Sequence, residues 1–366
     1  MLLDTLVRHR RALHRIPELM YDLPETQKYV LGALADLSCE IATVAESGVL
    51  AYFDAGRPET VLFRSDMDAL PVTENTRHDF PSGHPGRMHA CGHDGHMAML
   101  LAFAEWVNEN AKALPRNVLF VFQPAEESGG GGERIANSGC FQKYNVVRAF
   151  AIHVEPNLPV GAVASRPGPL MARASEIHLD VEGRAGHAAV PGAGNDALAA
   201  AVDFMYGAYR AEEAMEAEKP HRMKFCQLNA GNSTNVVADA AHVKGTLRTY
   251  ADADFEHMKA RMTALAAESE ARYGVKCSLT VKDGYPAVIN DRYLFDEVSA
   301  RTKIERIPEA SFLGEDFSYY GRKVPAVLFR VGLGTNIPLH AANFDFDERA
   351  LVTGVELYQT LAEMDA

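Results

Sequence analysis

The chain has 366 residues, enough for two hydrophobic cores, and its 47% hydrophobic and 23% charged content is that of a globular protein. A net charge of −13 with no basic stripe excludes nucleic acid as a partner, and no apolar run approaches the ~18 residues of a membrane span. Five scattered cysteines (Cys39, Cys91, Cys140, Cys226 and Cys277) make no disulfide framework and fit a reducing cytoplasm, and the arginine-bearing N-terminus lacks the apolar core of a signal peptide. Over 2–15, Leu2, Leu3, Leu6, Val7, Arg10 and Leu13 recur at helical spacing, and Pro17 closes the segment. A second helix, over 24–37, has Pro24 in its first turn and Val30, Leu31, Leu34 and Leu37 on one face. Near-continuous apolar runs at 49–53, 60–64, 117–122 and 149–154 read as strands buried on both faces, with a long buried helix over 96–108. Strands alternating with helices predict a layered α/β domain.

After the Pro/Gly cluster at 166–169 the pattern changes. Residues 175–182 alternate, with Ile177, Leu179 and Val181 on one face and His178, Asp180 and Glu182 on the other, as in a half-exposed strand. A helix carrying Leu198, Ala201, Val202, Met205 and Tyr209 follows, then strands over 223–229 and 241–249. A second helix with Phe255, Met258, Met262, Leu265, Ser269 and Tyr273 leads to a last strand alternating Val275, Cys277, Leu279 and Val281. The order β-α-β-β-α-β predicts a ferredoxin-like α+β unit inserted into the larger domain. Beyond 283–286 the α/β texture returns, with a buried strand over 325–331 and a helix over 351–364. The expected division is a discontinuous larger domain, 1–169 and 285–366, with a helix-covered, mostly parallel sheet, and an inserted domain, 170–284.

The stretch 88–96 packs Cys91, His89, His93, His96 and Asp94 into nine residues. On extended backbone Cys91 and His93, two apart, point the same way, and a thiolate converging with an imidazole suits Zn, Mn, Co or Ni. The other reading is a polar helix start. Glu126 and Glu127 follow the apolar strand 117–122, where open α/β sheets place their sites. Neighbours on extended backbone point apart, so one can ligate a metal while the other faces a bound water as general base; the bland reading is an exposed acidic turn. His153 ends the strand 149–154, and His340 follows the strand 325–331. Together Cys91, His93, Glu127, His153 and His340 can make one open site of N, O and S ligands. Asp66 and Asp68 follow the strand 60–64; Asp68 is placed to orient a ligating side chain, and Asp66 reads equally as a strand-end cap.

As a set these motifs resemble one family. The segments Asp66–Pro71, His89–His96, Phe122–Glu127, Pro159–Gly161, Gly186–Ala189, Gly245–Thr249, Gly314–Phe317 and Pro338–His340, in this order and spacing, are similar to the dinuclear metal-dependent amidohydrolases that include hippurate hydrolase, auxin-conjugate hydrolases and N-acetyldiaminopimelate deacetylase. The resemblance implies that Cys91, His93, Glu127, His153 and His340 hold two divalent ions (Mn, Zn, Co or Ni), with Cys91 bridging. It implies Glu126 as general base and proton shuttle. It also brings in His187, on the inserted domain, supplied across a homodimer interface to hold substrate or oxyanion, with Asn235 and Arg248 as further substrate contacts. The inserted domain would then serve as lid and dimerisation module. Two departures stand out: Gly192-Ala193-Gly194 where the family continues with a histidine after 186–191, and Leu313 where many members have glycine.

The expected activity is hydrolysis of the amide bond of an N-acyl amino acid in the cytoplasm, with N-acetyl-diaminopimelate as one substrate and a broader hippurate-type aminoacylase or dipeptidase as the alternative. Two further readings differ in class. A Cys91 nucleophile paired with His93 or His96 leaves the glutamates, His153 and His340 without a role. An inactive binding protein is opposed by the intact base and ligands. Neither a G-x-S-x-G elbow nor an H-E-x-x-H helix is present in the sequence.

Overall fold

A computed structural model describes residues 2–216 and 220–365. The chain forms two compact units, Met1–Leu170 with Ile289–Glu309 and Asp316–Ala366, and Met171–Val288 with Ala310–Glu315. Among the described residues no helix is long and apolar enough to cross a membrane.

The first unit opens with helices α1 (Leu2–His14) and α2 (Pro24–Leu34). Strands β1 (Glu40–Val44), β2 (Gly48–Phe53) and β3 (Thr60–Asp66), helix α3 (His93–Asn110), and strands β4 (Asn117–Gln123), β5 (Val146–Glu155) and β6 (Val163–Ser165) follow. The second unit holds β7 (Arg173–Glu182), α4 (Ala197–Glu213), β8 (Arg222–Ala230), β9 (Ala240–Thr249), α5 (Asp252–Tyr273) and β10 (Lys276–Val281). The first unit resumes with β11 (Glu305–Arg306), β12 (Ala326–Gly332) and α6 (Ala350–Ala362).

The large sheet runs β1-β2-β4-β3-β5-β12-β6-β11. Its centre, β4-β3-β5-β12, is parallel, and antiparallel pairings join β1 to β2, β2 to β4 and β6 to β12. Every residue of β3, β4 and β12 is buried, which accounts for their unbroken apolar runs. The unanticipated β1 is partly exposed, and five residues are too few for its alternation to stand out. Helix α3 is buried from His93 to Ala104 and packs Phe103 edge-on to Phe63 and Phe120 and stacked on Tyr358. Arg10 sits on the core side of α1 because it has partners there. Its guanidinium lies 3.7 Å from the centre of the Phe346 ring and donates to Asp345 Oδ1 at 2.7 Å.

The second unit's sheet runs β10-β7-β9-β8, antiparallel throughout. In order of appearance this is fourth-first-third-second, the ferredoxin-like arrangement. Ile177, Leu179 and Val181 of β7 meet Phe204 of α4 and Phe255, Met258 and Met262 of α5 in one core. On α4, though, the buried side is Ala197, Ala200, Ala201, Phe204 and Ala208, whereas Leu198 and Val202 face outward. The helix thus has two apolar stripes, and helical spacing alone merged them.

Candidate metal centre

Two strand ends of the large sheet, two loops and the start of α3 deliver the candidate ligands. The spacing of Cys91 and His93 predicts a shared face on extended backbone, but the chain turns here instead. Gly92 adopts φ +83°, and a Cβ there would lie 2.6 Å from Val154 Cγ2, so only glycine permits the turn. His93 is then the first residue of α3. Glu126 and Glu127 likewise sit in a turn after β4, behind Ala125 at φ 56°. His153 lies in the C-terminal part of β5, and His340, at φ 67°, returns to the Cys91 loop by donating its backbone N–H to Ala90 O at 2.8 Å.

Ligand-type atoms of Cys91, His93 and His153 all lie within 4.8 Å of one another, and so do those of Cys91, Glu127 and His340. Cys91 is common to both triads. The ring tautomers are settled by their neighbours. His93 Nδ1 faces Asp68 O at 2.7 Å and His153 Nδ1 faces Val154 O at 2.7 Å; a carbonyl only accepts, so both Nδ1 atoms carry the proton. Both Nε2 lone pairs are left for the pocket, with His153 Nε2 3.5 Å from Cys91 Sγ. His93 Nε2 and Glu127 Oε1 are buried without a hydrogen bond, an arrangement that costs free energy unless a cation meets them. Glu127 Oε1 is 3.8 Å from His93 Nε2 and 3.4 Å from His340 Nε2. With its side chain 53% exposed, His340 marks the open side of the pocket. The donor set, imidazole, carboxylate and one thiol, fits borderline divalent ions.

Asp68 acts on this group through backbone. Its Oδ1 accepts from Glu126 N at 2.9 Å and its Oδ2 from Glu127 N at 3.2 Å, so one carboxylate fixes the turn that bears both glutamates. Burial raises its pKa to about 7. His96 is excluded as a ligand: Nδ1 bonds Asp66 Oδ1 at 2.6 Å, and Nε2 accepts from Val154 N at 2.9 Å. Burial pushes the Cys91 thiol up, and Glu127 and Glu126 push it further. A nucleophilic cysteine requires the opposite shift, whereas a metal supplies the positive charge that a thiolate here would need. His153 is held well below its ordinary pKa by burial and is neutral, as a ligand must be.

Sequence reasoning missed the support beneath Asp66. Buried Arg64 donates to Asp66 Oδ2 at 2.7 Å, Gln123 Oε1 at 3.1 Å and Asp316 Oδ1 at 2.8 Å. Gln123 Nε2 and Gly132 N also donate to Asp316. Burial would raise the Asp66 pKa, but His93, His96 and Arg64 outweigh it and hold the carboxyl well below its ordinary range. The available signal was a cation in an otherwise apolar strand. In the second unit, His187 pairs with Val236, and Asn235 O accepts from Ala188 N at 3.0 Å, so His187 and Asn235 are neighbours; His187 is exposed. Arg248 is half-buried on β9, and burial lowers its pKa.

Residues 62–364 match the peptidase family M20/M25/M40. The chain belongs to that family. It is 33% identical over 365 residues to an N-acetyldiaminopimelate deacetylase of Shouchella clausii, covering 97% of each chain, and 36% identical over 360 residues to one of Streptococcus uberis, covering 94% of this chain and 95% of that one. Among solved structures it is similar to the Bacillus subtilis YXEP protein, described as a dinuclear metal binding peptidase from the M20 family, with a TM-score of 0.86 and 30% identity over 99% of this chain and 97% of that one. As a member of this family the chain is a metal-dependent amide hydrolase.

Proposed function

We propose that the protein removes the acyl group from N-acyl amino acids, with N-acetyl-diaminopimelate as the first substrate to test. The observation that carries this reading is the pair of triads sharing Cys91, with Glu126 on the same turn as Glu127. Support for the substrate comes from the two relatives named for N-acetyldiaminopimelate deacetylation. Cys91, His93 and His153 would hold one divalent ion and Cys91, Glu127 and His340 a second. When bound, the ions supply Lewis acidity and lower the pKa of water towards ~7.

The chain's own residues do the rest. Glu126 takes a proton from the attacking water and returns it to the leaving nitrogen, so the amide C–N bond breaks to give a carboxylic acid and a free amine. Asp68 keeps Glu126 and Glu127 in register by holding both their amides. His187, Asn235 and Arg248 are assigned to the substrate carboxylate and the oxyanion, with His187 acting from the partner in a homodimer built through the second unit.

The test is a panel of N-acetyl-diaminopimelate, N-acetyl amino acids and N-benzoylglycine, assayed with Mn, Co, Zn or Ni. Glu126→Gln should lower kcat by ~10² or more with metal content unchanged. Turnover within tenfold of wild type would overturn the base assignment.

A further inference from the structure

A second group of ligand-type side chains lies in the first unit and shares no residue with the two triads. One ligand-type atom each of His14, Glu74 and His78 lies within 4.8 Å of the other two. His14 Nε2 is 3.5 Å and His78 Nε2 3.2 Å from Glu74 Oε1. The side chains are 0%, 8% and 7% exposed. Ligands of tetrahedral zinc, at bond lengths of 2.0–2.2 Å, stand roughly 3.3 Å apart, so the spacing is that of a shared ion.

Hydrogen bonding points the same way. His14 Nδ1 is 2.7 Å from Asp94 Oδ2, the carboxylate–histidine pairing that aims the other nitrogen at a metal. His14 Nε2 and both nitrogens of His78 are buried without a hydrogen bond. A proton on His14 Nε2 would face Glu74 at 3.5 Å, well beyond the ~2.8 Å of a charge-assisted bond. Glu74 is held in place by Thr76 Oγ1 on Oε1 and by Ser82 N on Oε2 at 2.5 Å. The His78 ring is stacked on Phe80 at 3.8 Å, which fixes its plane. Arg10, 3.5 Å from Asp94, offsets part of the negative charge of Asp94 and Glu74, and the charge left favours a cation. A cavity of about 200 Å³, lined by Glu74, Thr76, Ser82, His84 and Arg87 among others, opens beside Glu74.

We propose that His14, Glu74 and His78 form a further divalent-cation site, selective for zinc-like ions, that clamps the end of α1 to the loop leading into the Cys91 segment. Its function is structural: none of its residues belongs to the proposed hydrolytic machinery.

Zinc-edge anomalous diffraction from crystals of the full chain grown with zinc chloride tests this directly. The expected map has a peak between His14, Glu74 and His78, in addition to those at the Cys91 triads. In solution, His78→Ala should hold about one zinc per chain less than wild type after dialysis, with amide turnover kept within about twofold. Peaks at the Cys91 triads with none at this cluster, or a His78→Ala protein that retains all its zinc, overturns the proposal and leaves the hydrolase reading untouched.

Discussion

The Asp68 carboxylate accepts from two backbone amides and lies 3.8 Å from His93 Nδ1, the ring nitrogen that the Asp68 carbonyl holds at 2.7 Å. Its influence is therefore positional. Asp68→Asn keeps one acceptor oxygen but turns an NH₂ group towards the other amide, so the Glu126–Glu127 turn loses a hydrogen bond. We expect kcat and metal affinity each to fall by ~10- to 100-fold with the fold intact, read by steady-state kinetics and equilibrium dialysis. Unchanged metal affinity would mean that the turn holds itself. The candidate ligands were legible in the sequence because cysteine, histidine and glutamate at strand ends have no packing explanation. Arg64 and Asp316 were not legible as a pair, since 252 positions separate them and only the folded chain brings the end of β3 to the segment before β12. Extended backbone was expected at Cys91 and His93, but the chain turns there, because a positive φ at Gly92 cannot be read from spacing.

At the scale of elements, helix α4 bears Leu198, Val202 and Tyr206, 40%, 49% and 66% exposed and four residues apart, so they line one outward stripe. In the same unit β8 is an edge strand among the described residues, and Val190 and Val236 are exposed. Exposed apolar residues and a strand edge are surfaces that a second copy can cover, which supports the proposed homodimer. Leu198→Glu with Val202→Glu should convert the dimer to monomer by light scattering. Turnover should fall about tenfold or more with it if His187 acts in trans. A monomer with full turnover refutes the trans role. Periodicity gave these helices and strands to within a few residues, because amphipathic elements at a domain surface carry the cleanest alternation. It could not divide the apolar residues of α4 between the two sides, since both are apolar.

For the whole molecule, pH separates the metal-free from the zinc-loaded state. Without metal, burial lowers the His14 pKa but Asp94 and Glu74 outweigh it and raise it to about 9. A proton bound more tightly in the folded chain than in the unfolded one stabilises the fold below pH ~6.5, and that stability is lost as pH rises to about 9. The loss is on the order of 3 kcal/mol, visible as a falling urea midpoint of chelator-treated protein. Zinc on His14 takes the proton's place, so the loaded protein should show a flatter profile over the same range. Equal slopes in both states would argue against zinc at this cluster.

The order of the ligands along the chain has its own consequence. Cys91, His93 and His153 precede the second unit, whereas His340 follows it. During synthesis the thiol and two imidazoles of the first triad emerge before residues 171–288 exist, and the second triad is completed only after that whole unit has been made. The two proposed ions would therefore have different earliest moments of entry, the first open to capture by a nascent chain and the second drawn from the metals around an almost finished protein.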